Sequence, residues 1–281
     1  MSATATLPAR RPTKRAIPGL GPTLGFSLFY LGLIVLIPLA GVFFKASGLG
    51  VSGIWHVITS ERVLAALRLS FGAALIAALI NVVFGSIVAW VFVRYDFVGK
   101  RLFDAFIDLP FALPTAVAGI ALTALYSPNG WIGSLVEPLG IKIAYTPLGV
   151  IVAMTFIGLP FIVRTVEPVL REVDRDLEEA AATLGAWRWQ TVVLVIAPAV
   201  FPSVVTGFAL AFARAVGEYG SVIFIAGNFP LVSEIAPLLI IIKLEEFDYQ
   251  GATAVAATML VISFVLLLIV NLLQAWVRKR S

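Results

Sequence analysis

The chain has 281 residues, 60% of them hydrophobic and only 13% charged, with a mean hydropathy of +1.02, a balance expected of a membrane protein and not of a soluble domain. It has no cysteine and a single histidine, His56, which excludes disulfides and thiolate chemistry and leaves zinc-hydrolase or Ser-His-Asp readings almost nothing to stand on. Its net charge of +4 sits in short basic clusters, and Gly99-Lys100 runs into Arg101 without the spacing of a nucleotide-binding P-loop.

In chain order, the opening stretch from Met1 to about Gly21 carries Arg10, Arg11, Lys14 and Arg15 and is expected to be a disordered basic tail, residues 1–21, ahead of one transmembrane domain, residues 22–281. A bilayer core of about 30 Å needs roughly 20 apolar residues per helix. The first uncharged run, Leu24–Phe44, exceeds a signal-peptide core and is followed by no small-x-small cleavage site, so it is expected to stay as a span. Further runs follow at Leu69–Val93, Leu109–Tyr126, Ile143–Val163, Trp189–Ala213 and Tyr249–Val277. The predicted fold class is therefore an all-α polytopic membrane protein with six transmembrane helices. A seventh apolar stretch, Tyr219–Ile242, is interrupted by Asn228, Pro230, Glu234 and Pro237. Those residues would leave polar groups unsatisfied in lipid, so a re-entrant or cavity-lining segment is expected there. Pro110, Pro114, Pro198 and Pro202 are expected to kink their spans.

Six spans put both ends on one side, and 14 of the 20 lysines and arginines fall on that side, leaving Lys45, Arg62, Arg68, Lys142, Arg214 and Lys243 elsewhere. The positive-inside rule then places both termini in the cytoplasm of a cell inner membrane. The same clusters account for the basic pI without nucleic acid.

One cytoplasmic loop, 164–188, is unusually polar. Arg175 and Glu179 stand at i,i+4 and Glu172 and Arg175 at i,i+3, which predicts a short surface helix ending near Leu184, with Gly185 as a left-handed cap. Ala180, Ala181 and Ala182 leave that helix little bulk, and Trp187 and Trp189 sit where interfacial aromatics belong. A helix lying on the membrane accounts for the tryptophans but not for the alanines; a docking knob for a cytoplasmic partner accounts for both.

Glu179-Ala180-Ala181, with Glu178 before it, Gly185 after and Pro198 further on, resembles the E-A-A-x3-G-x9-I-x-L-P loop (about 164–198 here) of the membrane subunits of ABC importers, departing at Val195 and Ala197. The resemblance implies a coupling helix seated in a groove of an ATPase subunit. It also implies that this chain is non-catalytic and holds no cofactor, ATP and Mg being bound by two partner ATPase subunits.

The stretch A-R-A-V-G-E-Y-G-S-V-I-F-I-A-G-N-F-P, Ala213 to Pro230, and K-L-E-E-F-D-Y, Lys243 to Tyr249, are similar to sulfate/thiosulfate permease subunits of the CysT (CysU) family. The G-E-[FY]-G core is shared with the sister CysW family and with molybdate permeases. The resemblance implies an assembly with a CysW-like permease subunit, the ATPases, and a periplasmic sulfate- or thiosulfate-binding protein. From the residues themselves, Arg214 and Glu218 stand four apart just past an uncharged span, among Gly217 and Gly220, and ionisable groups at membrane depth are functional candidates. An arginine suits an oxyanion, and Ser221 and Asn228, like Ser203 and Thr206, could add neutral donors. The alternatives are that Arg214 and Glu218 only neutralise each other and that the hydroxyls and amide only bond neighbouring helices. Competing functions are a molybdate or tungstate permease, an integral-membrane enzyme at the lipid surface, and an ion-driven secondary transporter.

Overall fold

The computed structural model of the chain describes residues 20–278, and all regular structure among them is helical. Residues 1–19, most of the expected tail, lie outside the described residues. The first helix, α1, is Leu20–Ser47; α2 is Gly50–Thr59 and α3 Glu61–Arg94. α4 and α5 are Lys100–Ala112 and Thr115–Tyr126. α6 is Pro147–Glu172, α7 Arg175–Thr183 and α8 Arg188–Val216. α9, Ala236–Glu245, and α10, Tyr249–Arg278, complete the chain.

Five of these (α1, α3, α6, α8 and α10) are long and apolar enough to cross a bilayer alone. The sixth expected span is not a single helix. Leu113, ahead of Pro114, is driven out of the helical region to ψ 138°, and α4 and α5 meet there at a bend of 116°. α5, with twelve residues, reaches only about 18 Å, and at this bend α4 and α5 together extend only about 20 Å end to end. The break divides Leu109–Tyr126, expected as one helix, into a bent pair. A second correction concerns the polar loop: α6 stays helical through Glu172, so Arg164, Glu167 and Arg171 belong to its last turns and the loop opens at Val173.

The centre of the bundle is made by α3, α6 and α8 through small residues, which let backbones approach where lipid gives no hydrophobic drive. α3 buries Ala66, Ser70, Ala73, Ala74, Ala77, Ala78, Asn81, Gly85 and Ala89. A Cβ on Gly85 would lie 2.8 Å from Ile162, and one on Gly158 would lie 2.4 Å from the Asn81 amide. The Ala211 methyl is 3.6 Å from that second position, so Asn81, Gly158 and Ala211 share one level. Along α3, Arg62 lies about 28 Å to one side of it and Arg94 about 20 Å to the other.

Two helices contain a single π-turn, Gly32–Leu36 in α1 and Val192–Ile196 in α8, and each ends two residues before a proline, Pro38 and Pro198. The amides of Ile37 and Ala197 reach back five residues, to the Gly32 and Val192 carbonyls. The widened turn relieves the clash a proline ring makes with the preceding turn. Pro198 is thus absorbed by a π-turn.

Candidate functional site

At the end of the bundle that bears Arg94, α7 is built as a knob. Asp174 caps its start, the carboxylate accepting from the Asp176 N–H at 3.3 Å. At its other end Gly185 stands at φ +84°, the Ala186 N–H donates to the Ala181 carbonyl at 3.0 Å, and the Gly185 N–H donates to Ala182 at 3.0 Å. This paired closure is the Schellman motif. It explains the interval between Ala181 and Gly185: the alanine supplies the carbonyl and the glycine the left-handed residue four positions on. Trp187 then opens α8, its N–H donating to the Gln190 side chain at 2.7 Å.

The knob has two sides. Ala180 and Leu184 face outward, Leu184 being 88% exposed, while Glu179 and Ala182, also exposed, border the cleft between α7 and the ends of α3 and α8. Glu178 turns inward and forms an ion pair with Arg94, whose guanidinium lies 5.6 Å from the Trp90 ring and 3.5 Å from the Val173 carbonyl. α7 is therefore joined covalently to α6 and α8 and electrostatically to α3. The expected pairs through Arg175 involve a side chain outside the described residues.

A second polar cluster ties α4 to α6. Arg164 donates from Nε and Nη2 to Asp108 at 2.9 and 2.7 Å, pairs with Asp104 at 2.8 Å, and donates from Nη1 to Glu167 at 3.1 Å. Glu167 in turn accepts from Arg171 at 2.6 Å. Sequence reasoning placed Arg164 in the loop and missed this network; Asp104 and Asp108 at i,i+4, on a helix whose other residues past Arg101 are apolar, were the available signal.

Past the middle of the bundle, α8 stops at Val216, about one turn beyond the Asn81 level, and the chain turns a polar corner. The Glu218 carboxylate, 1% exposed, pairs with Arg214 and accepts from both the backbone N–H and the hydroxyl of Ser221 at 3.0 Å. The corner rests on the first turns of α5: a Cβ on Gly119 would lie 2.4 Å from the Ser221 carbonyl, and one on Gly220 would lie 2.1 Å from the Thr115 hydroxyl. Asn228, at φ 56°, donates to the Ile223 carbonyl at 2.9 Å. Glu218, Ser221 and Asn228 thus spend polar groups inside the chain. Arg214 keeps 35% of its side chain accessible, and Gly217 is exposed with open space beside it.

The Tyr219–Ile242 stretch forms no continuous helix. It runs through a single turn at Val222–Ile225, left-handed residues at Gly227, Asn228 and Leu231, and into α9. Glu234, one of its expected breakers, is buried and accepts from Arg62 of α3 twice, at 2.8 and 2.7 Å. The Ser70 hydroxyl accepts from the Ala236 N–H at 2.8 Å, so Glu234 and the start of α9 are both tied to α3. The K-L-E-E-F-D-Y stretch is a helix-to-helix corner: Phe247 takes φ 61°, and Asp248 caps α10 by accepting from the Gly251 N–H at 2.8 Å. Lys243 donates to Asp248 at 2.8 Å and, with the Gly251 amide, holds its carboxyl below the usual range.

A multi-helix membrane domain with an exposed polar knob at one end and a polar corner within the bundle has the design of a transport permease. Residues 81–281 match the model of the binding-protein-dependent transport system inner membrane component, and the chain belongs to that family. It is 50% identical to the sulfate transport system permease protein CysT of Synechocystis sp., over 90% of this chain and 88% of that one. With the protein of the same name from Escherichia coli it shares 45% identity over 95% of this chain and 97% of the other. The fold matches a membrane chain in the crystal structure of a bacterial ABC transporter involved in alginate import, with a TM-score of 0.75 at 14% identity over 91% of this chain and 94% of that one.

Proposed function

We propose that the chain is the membrane-spanning, non-catalytic permease subunit of an ATP-driven importer that carries sulfate, and thiosulfate with it, across the inner membrane. The observation that carries this reading is the near-full-length similarity to permeases named for sulfate. In this account a CysW-like subunit supplies the other half of the pathway, and a periplasmic binding protein delivers the anion to the end bearing Arg62 and Glu234. Two ATPase subunits hold ATP and Mg and receive α7. Both termini lie in the cytoplasm, in keeping with the distribution of basic residues.

ATP binding draws the α7 knobs of the two permease subunits together. The Schellman closure and the Arg94–Glu178 pair favour transmission of that movement to α3, α6 and α8 as a rigid-body rotation. At membrane depth, Arg214 and the exposed backbone at Gly217 are the groups positioned to meet an oxyanion, while Glu218 and Ser221 hold the arginine's corner in place. Uptake of radiolabelled sulfate by cells lacking their own CysT-type subunit tests the reading. Restored uptake blocked by excess thiosulfate and insensitive to molybdate is expected; restored uptake blocked by molybdate alone would move the substrate to that anion.

A further inference from the structure

Asn81 lies at the centre of the bundle, 1% exposed, and among the described residues neither its amide nitrogen nor its amide oxygen has a hydrogen-bond partner. Buried polar groups are bonded as a rule, so a state that strands both ends of an amide is disfavoured at each of them. The amide nitrogen is held against Gly158 of α6, where a Cβ would lie 2.4 Å from it. α7, whose Arg175 side chain is not described, lies beyond Arg94, about 20 Å along α3 from this level.

A second polar group close by is equally idle. Thr155, also on α6, buries a hydroxyl that has no partner among the described residues. Thr123, Thr165, Thr206 and Thr258 each donate to the carbonyl four residues back, the ordinary outlet for a threonine within a helix, and Thr155 does not. α3 and α6 run in the same sense, Asn81 beside Gly158 and Gly85 beside Ile162. Thr155 stands seven residues before Ile162 and shares its face of α6, the one turned to α3. It is three residues from Gly158, which sets it about 4.5 Å of rise from the Asn81 level, toward the Arg62 end. Between this pair and the knob, α6 carries Pro160, which has no N–H for the Phe156 carbonyl and makes a hinge.

We infer that Asn81 and Thr155 are the two halves of a latch, open in this structure and closed in the other state of the transport cycle. The inference rests on the proposed function, which requires two states. Bending α6 at Pro160 leaves Ile162 on Gly85 and moves Gly158 and Thr155 together, so the knob end of the bundle keeps its packing while Asn81 is released. The Thr155 hydroxyl then donates to the amide oxygen and accepts from the amide nitrogen, answering both stranded ends. Because one state strands these groups and the other pairs them, the latch biases the equilibrium that ATP binding has to shift.

The chain has no cysteine, so Asn81→Cys with Thr155→Cys places a single thiol pair in it. Thiols link only when their Cα atoms come within about 7 Å. In the complete transporter treated with copper phenanthroline, the linked peptide is expected to be about fivefold more abundant in one of two states, nucleotide-free or vanadate-trapped, than in the other. Equal yields in the two, or no link in either, would overturn the latch. Asn81→Leu keeps the shape and removes the stranded amide; it is expected to assemble in normal yield and to lower sulfate uptake about fivefold. Thr155→Val is expected to do the same, and the double variant to stay within twofold of either single one, because both act through one contact. Failed assembly of Asn81→Leu would mean that the amide is already bonded, by water or otherwise, and would overturn the latch, as would losses that multiply in the double variant. Sulfate uptake by the unaltered complex is measured alongside. Its failure would count against the proposed function, while the cross-link comparison, which does not depend on the anion carried, still decides the latch.

Discussion

Gly185 and Arg214 make separate demands on a substitution. At φ +84° an L side chain costs about 1–2 kcal/mol unless it is Asn or Asp. Gly185→Asp adds a negative charge at the negative end of α7, on its outward face, whereas Gly185→Asn adds nearly the same volume without the charge. Membrane insertion is expected to survive both. Sulfate uptake in whole cells should fall at least tenfold in Gly185→Asp and less than threefold in Gly185→Asn; equal uptake in the two would remove charge at the knob from the account. Arg214→Ala strands the buried Glu218 carboxylate, which for such a pair costs on the order of 3 kcal/mol, so the yield of assembled complex should drop. Adding Glu218→Gln keeps an acceptor for Ser221 and removes the orphaned charge. The double variant is expected to recover assembly without recovering uptake. Recovery of uptake as well would make the pair purely structural. The spacing of Arg214 and Glu218 was legible in the sequence, but not the Ser221 bonds that commit the carboxylate to the fold, because these depend on the chain turning a corner at Gly217.

Two elements set how movement at the knob spreads. α4 is held to α6 by Arg164 through Asp104 and Asp108, and α5 carries the polar corner on Gly119, so the kinked pair links the Arg164 network to the corner. Asp108→Asn is expected to leave ATP hydrolysis by the complex within twofold while lowering sulfate transported per ATP; an unchanged ratio would detach α4 from the transmission. The turn between α9 and α10 gives a pH prediction. Asp248's carboxyl is depressed in the folded chain, so its stabilising contribution is complete above the ordinary value near 3.8 and is lost as pH falls through the lower folded value. Wild type should therefore lose its thermal stability advantage over Asp248→Asn as the pH is lowered below the ordinary carboxylate value near 3.8; a constant gap would contradict the cap. The α7 knob was legible from its alanines and glycine because capping is local. The break at Leu113–Pro114 was only half legible: a proline there signals a kink, but composition cannot distinguish a bent span from two half-helices.

At the scale of the whole molecule, apolar run length supplied five of the crossings directly, because a lipid-exposed backbone has no stable alternative to the helix. The path of Tyr219–Ile242 was not readable, since Glu234 and the Ala236 amide are answered by Arg62 and Ser70 of α3, some 160 residues or more away. The central claim is that this fold converts ATP-driven movement at α7 into sulfate import. Its most direct test is sulfate accumulation in proteoliposomes containing the complete complex, with ATP enclosed on the knob side and sulfate-loaded binding protein on the other. Accumulation that requires ATP, together with hydrolysis stimulated by the loaded binding protein, is the predicted result; sulfate entry that proceeds equally well without ATP would contradict it.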